Sequence, residues 1–444
     1  MAGRRELTAG LADIGALGSA LLVVGLSAFA YLGMADRILG AVAALPLSVL
    51  WTLSNVLAAA LFVPVEQEIT RVVAHSMAGG EDYRSTVWRL TALTGAIVAI
   101  VVTVGAVLRN LLVRELFPGH PQLLVASALI TIAFAAQHVM RGVFAGTGRF
   151  RPYAWQLMVD GLLRCLLPLS VMLSHAPTVN GFAAALVIAP SVSVLVTIPV
   201  LRRIGAEAGQ ATPVPVPGWR VIFSAVGMLL ITQTASTVVI GGSAIATRVL
   251  AKPPELPLAA ALIAALLLSR VPLLAFYAVA PTLIPRITWI ARRGNAAQIR
   301  RSVSGMVAMV IVVGIAATAM ALFLGAPVAR IVFGGGMHVT GVEVALAFAA
   351  IAAFVAATIC TQSLIALRAY LLGAMVWSLA CACYLCMLAL PAGGLEHRIM
   401  QALLVAVAFA LAGGATAVIG ATRLRGRRLN DPHREQNVPV TGID

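Results

Sequence analysis

Arg270 lies inside a long apolar stretch, Leu267-Leu268-Ser269-Arg270-Val271-Pro272-Leu273. A charge at mid-helix in a bilayer costs about 2.5–3.5 kcal/mol on the insertion scale, so it persists where it meets a cavity, a partner or a ligand. Pro272 and Pro281 lack the amide hydrogen that a helix needs and perturb the same stretch. An arginine in a broken span is a candidate anion site, because its planar fork makes bidentate contacts with phosphate. The bland alternative is a side chain that snorkels to the nearest interface.

The acidic residues form smaller constellations. Asp160 and Arg164 are four apart in one apolar run, so they share a helix face and can neutralise each other. Pro64-Val65-Glu66-Gln67-Glu68-Ile69-Thr70-Arg71 closes another run, and there Glu68 and Arg71 share a face at a spacing of three. That group reads either as an interfacial ion pair or as a gate. Asp13, early in the first run, either contacts a cavity or sits at an interface. Asn55, Gln137, His138, Gln233 and Gln362 can hydrogen-bond between helices. Of these, Asn55 and Gln233 are the polar candidates for contacting a substrate.

Enzyme chemistry finds little to work with. The seven histidines are scattered, and neither GxSxG, HExxH nor a phosphate-cradling loop occurs. The acids expected outside the membrane, Asp36, Glu115, Glu255 and Glu396, fall in four separate short loops. Cys383 and Cys386 make a CxxC, but it lies in an apolar run without a neighbouring His or carboxylate, where cysteine fills space. No catalytic residue, metal site or cofactor is expected.

The elements that must position these residues follow from composition. The 444 residues are 61% hydrophobic and 11% charged, whereas soluble domains carry about 25% charged residues. Apolar runs fall near 11–33, 40–65, 87–108, 122–144, 153–174, 181–201, 220–243, 257–284, 303–325, 341–367, 370–391 and 399–422. Each is long enough for a membrane-spanning helix, and none has the short alternating pattern of a barrel strand. The predicted fold is an all-α polytopic membrane protein of about twelve transmembrane helices. Ala28-Phe29-Ala30 resembles a signal-peptide cleavage site, but the apolar run continues past it.

The net charge of +15 is spread over the ends of the runs rather than gathered on one module, which speaks against nucleic acid. With the N-terminus inside, 22 Arg and Lys residues fall in cytoplasmic segments and seven outside. The positive-inside rule therefore predicts cytoplasmic N- and C-termini.

The Pro-rich segment 206–218, AEAGQATPVPVPG, cannot propagate a helix and reads as a hinge between two halves. Ile69-Thr70 and Arg114-x-x-Phe117 recur as Ile287-Thr288 and Arg330-x-x-Phe333, at offsets of 218 and 216 residues. The expected organisation is an N-terminal six-helix half over 1–205, a cytoplasmic linker over 206–218, a C-terminal half over 219–425 and a basic tail over 426–444. An even number of spans per half predicts parallel repeats around a central cavity.

Several stretches resemble the polysaccharide and lipid-linked oligosaccharide flippases of the multidrug/oligosaccharidyl-lipid/polysaccharide (MOP) exporter superfamily. They are Asp36-Arg37-Ile38-Leu39-Gly40, Leu50-Trp51-Thr52-Leu53, Pro64-x-Glu66-Gln67-Glu68-x-x-Arg71, Arg141 through Phe150, Asp160-Gly161-x-x-Arg164, Arg270-x-Pro272-Leu273 and Leu283-Ile284-Pro285-Arg286. The resemblance implies a cationic cavity for the phosphate of a polyprenyl-linked sugar, with Arg270 and Arg37 as the residues placed to bind it. The cavity expected here is less cationic than in the lipid II flippases of the superfamily, which argues against lipid II as cargo.

The expected function is a flippase of the inner (plasma) membrane. It would move a polyprenyl-phosphate-linked sugar or oligosaccharide outward by alternating access, for envelope polysaccharide assembly. Arg270, Arg37, Asn55 and Gln233 would bind substrate, and Glu66, Glu68, Arg71, Asp13, Asp160 and Arg164 would gate or couple. Expected partners are the glycan lipid, the bilayer and glycosyltransferases or polymerases of envelope synthesis. The alternatives are a cation-coupled drug or small-molecule exporter on the same scaffold and a non-transporting scaffold for glycan-building enzymes; a membrane glycosyltransferase ranks below them.

Overall fold

The computed structural model describes residues 2–39, 41–173, 177–209, 211–293, 296–333, 339–390 and 393–429. Among them there is no strand, and the chain is helical almost throughout. Within hydrocarbon a backbone must satisfy its own polar groups, and a continuous apolar run does so as a helix. The helices are α1 (Ala2–Leu39), α2 (Ala41–Leu57), α3 (Val63–Gly79), α4 (Arg84–Val107), α5 (Arg109–Leu116), α6 (Gln122–Gly146), α7 (Phe150–Met172) and α8 (Val179–Ala208). They continue as α9 (Trp219–Leu250), α10 (Leu256–Leu268), α11 (Val271–Arg293), α12 (Ala296–Phe333), α13 (Gly341–Ala366), α14 (Tyr370–Ala389) and α15 (Leu395–Leu429).

Eleven stretches of the described residues are long and apolar enough to cross a membrane without interruption. Run 257–284 is the exception. It is split into α10 and α11 by a turn at Ser269-Arg270, just before Pro272. The second run departs from expectation at its far end. It passes through a π-helical segment, Ala58–Phe62, and continues as α3 to Gly79. Pro64 cannot donate a helical hydrogen bond, and a widened turn just upstream absorbs the defect. Glu68 and Arg71, in α3, are buried by neighbouring helices.

The chain packs as two compact units. The first comprises Met1–Leu230 with Leu274–Pro285, and the second Ile231–Leu273 with Arg286–Asp444. In the first, α6 packs on α3 and α8, and α7 packs on α1 and α8. In the second, α13 packs on α12 and α15, and α14 packs on α15. Of the spanning windows, those of α6 and α13 are the most buried, and those of α4 and α12 the least.

The turn that follows the central helix is the same in both units. After α6, the N–H groups of Thr147, Gly148 and Arg149 donate to the carbonyls of Val143, Ala145 and Phe144. After α13, Leu367, Arg368 and Ala369 donate to Ser363, Ile365 and Leu364. All six positions match at one offset, residue 148 plus 220 giving 368. Gly148 and Arg368 both have positive φ, 72° and 61°. The repeat is therefore visible in backbone geometry as well as in sequence.

The segment after α8 is pinned to the first unit. Asp82 N–H donates to the Thr212 carbonyl (2.9 Å) and Thr212 N–H to the Gly80 carbonyl (3.2 Å). Arg89 donates to the Pro217 carbonyl at 2.6 Å and lies over the Trp219 ring at 5.6 Å. At this edge, hydrogen bonds from the Arg84 side chain hold the Asp82 carboxyl below the usual carboxylate range. Burial pushes the Tyr83 hydroxyl up to about 12.

Candidate functional site

The site begins with two glycines. Gly142 and Gly146 stand one turn apart on α6, and a Cβ on either would meet Ile69 at 2.8 Å or Val73 at 2.5 Å. Small residues at this spacing let helix backbones approach closely. The Thr70 hydroxyl donates across the contact to the Gly142 carbonyl at 3.3 Å. The approach of α3 to α6 brings Glu66 against His138. One Glu66 carboxylate oxygen lies 2.5 Å from His138 Nδ1, and the other accepts from the Tyr153 hydroxyl at 2.8 Å. Two residues along α3, Arg71 donates twice to Glu68, at 2.9 and 2.6 Å.

A second cluster lies between α6, α7 and α8. Arg164 donates through Nε and Nη2 to the two oxygens of Asp160, both at 2.9 Å. The same guanidinium stands over the rings of Trp51 at 5.0 Å and Phe134 at 5.4 Å. Gln137 donates to Asp160 at 3.2 Å and to Ser193 at 2.6 Å, and its carbonyl accepts from Arg141. Arg141 also donates to Gln156, whose amide reaches the Thr197 hydroxyl at 3.1 Å. Arg141 lies 5.9 Å from the Tyr153 ring centre, which places the two clusters side by side.

Three carboxylates, Glu66, Glu68 and Asp160, are matched here by three guanidiniums, Arg71, Arg141 and Arg164. The imidazole of His138 joins the group through Glu66. In a low-dielectric interior a paired network of this kind bears strongly on which helix packing is favoured. Glu66 is held between an imidazole and a phenol.

The structure thus forms both ion pairs read from spacing. Asp13 has no described side chain, and its assignment lies outside the described residues. Of the expected substrate contacts, Arg37 and Asn55 belong to the first unit, and Gln233 and Arg270 to the second. Arg37 is exposed in the last turn of α1, Gln233 is half-buried in α9, and Arg270 is half-buried in the turn between α10 and α11. Asn55 donates to the Trp51 carbonyl of its own helix at 2.8 Å, so the expectation of an interhelical bond from its amide is corrected. Gln362, on α13, buries a carbonyl oxygen without a partner among the described residues. Glu343 forms a capping box with Thr340 at the start of α13.

Sequence reasoning overlooked Arg141, Tyr153, Gln156, Ser193 and Thr197 as members of the network. It also passed over the Gly142-x-x-x-Gly146 pattern, whose signal was available.

These helices define the class, an all-α polytopic membrane protein with an internal repeat. No sequence-family model matches the chain, and no curated protein matches it by sequence. Solved structures do. A MATE transporter in the straight conformation shares 12% identity over 94% of each chain, with a TM-score of 0.71. A mutant of the Vibrio cholerae MATE transporter VcmN shares 15% identity over 94% of this chain and 96% of its own, at a TM-score of 0.70. MATE transporter ClbM, in complex with Rb+, shares 14% identity over 95% of each chain, at 0.68. The chain therefore has the twelve-span fold of MATE transporters, which lie within the MOP superfamily.

Proposed function

We propose that this chain is a membrane transporter whose cargo is a polyprenyl-phosphate-linked sugar or oligosaccharide, carried from the cytoplasmic to the external leaflet of the inner membrane. The carrying observation is the position of Arg270. It stands in the turn where one span breaks into α10 and α11, immediately before the unpaired amides and positive dipole end that open α11. A cation at a helix start suits an anionic phosphate. No acidic side chain is paired with Arg270 among the described residues.

The buried charges of the first unit support the same reading. Glu66, Glu68 and Asp160 are each engaged by His138 and Tyr153, Arg71 or Arg164. None is an uncommitted carboxylate of the kind that grips a cationic drug. Glu66, Glu68, Arg71, Asp160 and Arg164 would then serve as gate and coupling residues, with alternating access as the mode of transport. With cytoplasmic termini, an inside-negative potential assists outward movement of the anionic head by about 2.3 kcal/mol per charge per 100 mV.

The test is translocation of a lipid-linked sugar in vesicles. Arg270→Ala is expected to abolish it while the protein remains folded, and a wild-type rate would refute the anion site.

A second reading, a cation-coupled small-molecule exporter, is favoured by the fold likeness to a transporter described as a multidrug resistance MATE protein. It requires Asp160 to release Arg164 during the cycle. Efflux abolished by Asp160→Asn, with lipid-linked sugar translocation unchanged, would select that reading.

A further inference from the structure

An apolar groove of about 700 Å³ runs along the first unit where α4 ends and α6 begins. Leu53 of α2, Val101 and Gly105 of α4, Leu112 of α5, and Val125 and Ala128 of α6 line it. Its two hydroxyl-bearing wall residues offer little to a polar guest: Thr131 donates back to the Ser127 carbonyl of its own helix at 2.7 Å. At one end the groove opens into a second basin of about 380 Å³, walled by Arg109, Asn110 and Arg114. The two spaces share Arg109 and Pro121. Arg114 is partly neutralised by Glu115 at 2.8 Å, whereas Arg109 has no acidic partner among the described residues. The basin is therefore cationic and the groove is hydrocarbon.

We infer that this is a binding site for an anionic glycerophospholipid, with one acyl chain in the groove and the phosphate against Arg109 and Arg114. Charge complementarity selects an anionic head, and the groove selects a hydrocarbon tail. Its length selects an acyl chain. From Pro121 to Thr131 the groove follows ten residues of α6, about 15 Å at 1.5 Å per residue. That equals about half of a 30 Å hydrocarbon core, the depth of one leaflet. A polyprenyl chain would overrun it. The exposed Val104, Val107, Leu111 and Leu129 around the groove keep the same surface in contact with lipid. The site lies within the first unit and does not depend on which cargo the protein carries.

Native mass spectrometry of the full-length protein, supplied in turn with phosphatidylglycerol, phosphatidylethanolamine and undecaprenyl phosphate, tests the site. Wild-type protein should retain phosphatidylglycerol in preference to phosphatidylethanolamine, and any undecaprenyl phosphate it retains should be insensitive to changes in the groove. Arg109→Gln and Arg114→Gln should each weaken retention roughly fivefold, from about 1 kcal/mol per basic residue near a membrane surface. Ala128→Trp, which fills the groove and leaves the basin, should displace the lipid without changing either arginine. Equal retention by wild type and all three variants would overturn the inference. So would retention of phosphatidylethanolamine as strong as that of phosphatidylglycerol, or retention of undecaprenyl phosphate that Ala128→Trp lowers as steeply as that of phosphatidylglycerol.

Discussion

The two units use one backbone plan and fill it differently. Counting 220 residues on from the network of the first unit gives its counterparts in the second. Gln137, His138 and Arg141 of α6 correspond to Ala357, Thr358 and Thr361 of α13. Asp160 and Arg164 of α7 correspond to Ala380 and Tyr384 of α14. At the matched positions of the second unit the contacts are neutral: Trp377 donates to Thr361 at 2.7 Å, and Tyr384 to Ser243 at 3.2 Å. The equivalent helix pair therefore packs without a carboxylate or a guanidinium at these positions. The fold does not require the charges of the first unit, and something other than folding must account for them. Buried ion pairs are poor stabilisers compared with apolar packing of the same volume, which sharpens the point.

The strongest way to break this comparison is to transplant one filling into the other place. Asp160→Ala alone leaves Arg164 buried and unpaired, and should cost about 3–5 kcal/mol, seen as loss of folded protein on size-exclusion chromatography. Combining Asp160→Ala with Arg164→Tyr copies the Ala380 and Tyr384 pair. The double variant should recover most of the folded yield and still fail in vesicle translocation. If it transports at the wild-type rate, the network is packing and the functional reading of the first unit is lost.

A smaller effect tests the glycine contact. Gly146→Ala places a Cβ 2.5 Å from the Cβ of Val73, so α3 and α6 must separate, at about 1–3 kcal/mol. The counterpart on α13 is Ala366, which already carries a Cβ. Ala366→Gly should cost about 1 kcal/mol through helix propensity alone. Thermal unfolding in detergent should rank the two in that order. The first should also loosen the contact of Glu66 with His138, which the second cannot reach.

What was legible in the sequence was local. Pairs three or four apart on one helix, Glu68 with Arg71 and Asp160 with Arg164, follow from helix geometry. The broken span was legible because proline acts on its own helix. The remainder was set by tertiary packing. Tyr153, Gln156, Ser193 and Thr197 lie on α7 and α8, and nothing in their local sequence says that α3 and α6 supply partners. Asn55 misled for a related reason, because a short amide can turn back on its own helix. The repeat was read from offsets of 216 and 218, while the turns after α6 and α13 give 220. Connections of different length separate the copies, and matched hydrogen bonds align them better than scattered identities do.

The smallest effect concerns those two turns, and it asks whether both copies are equally well made. The positive φ is native to glycine at 148 but is imposed on a long cationic side chain at 368. A left-handed residue with a Cβ costs roughly 1–2 kcal/mol. Arg368 is the only non-glycine among the described residues with positive φ, yet it keeps the hydrogen bonds of its counterpart. Gly148→Ala should destabilise by about 1 kcal/mol, because alanine brings the strain and nothing else. Arg368→Gly removes the strain but also deletes a side chain that makes contacts of its own. If packing alone governs this turn, Arg368→Gly should raise the unfolding temperature. If the arginine is kept for its contacts, the gain should vanish and lipid-linked sugar translocation should fall. Arg368→Asn separates the two cases, since asparagine tolerates the left-handed region without the guanidinium. A stabilised, transport-competent Arg368→Asn variant would mean that the second copy of the turn has merely drifted from glycine. A stabilised variant that no longer transports would extend to the second unit the conclusion drawn for the first: charge retained against the preference of the fold.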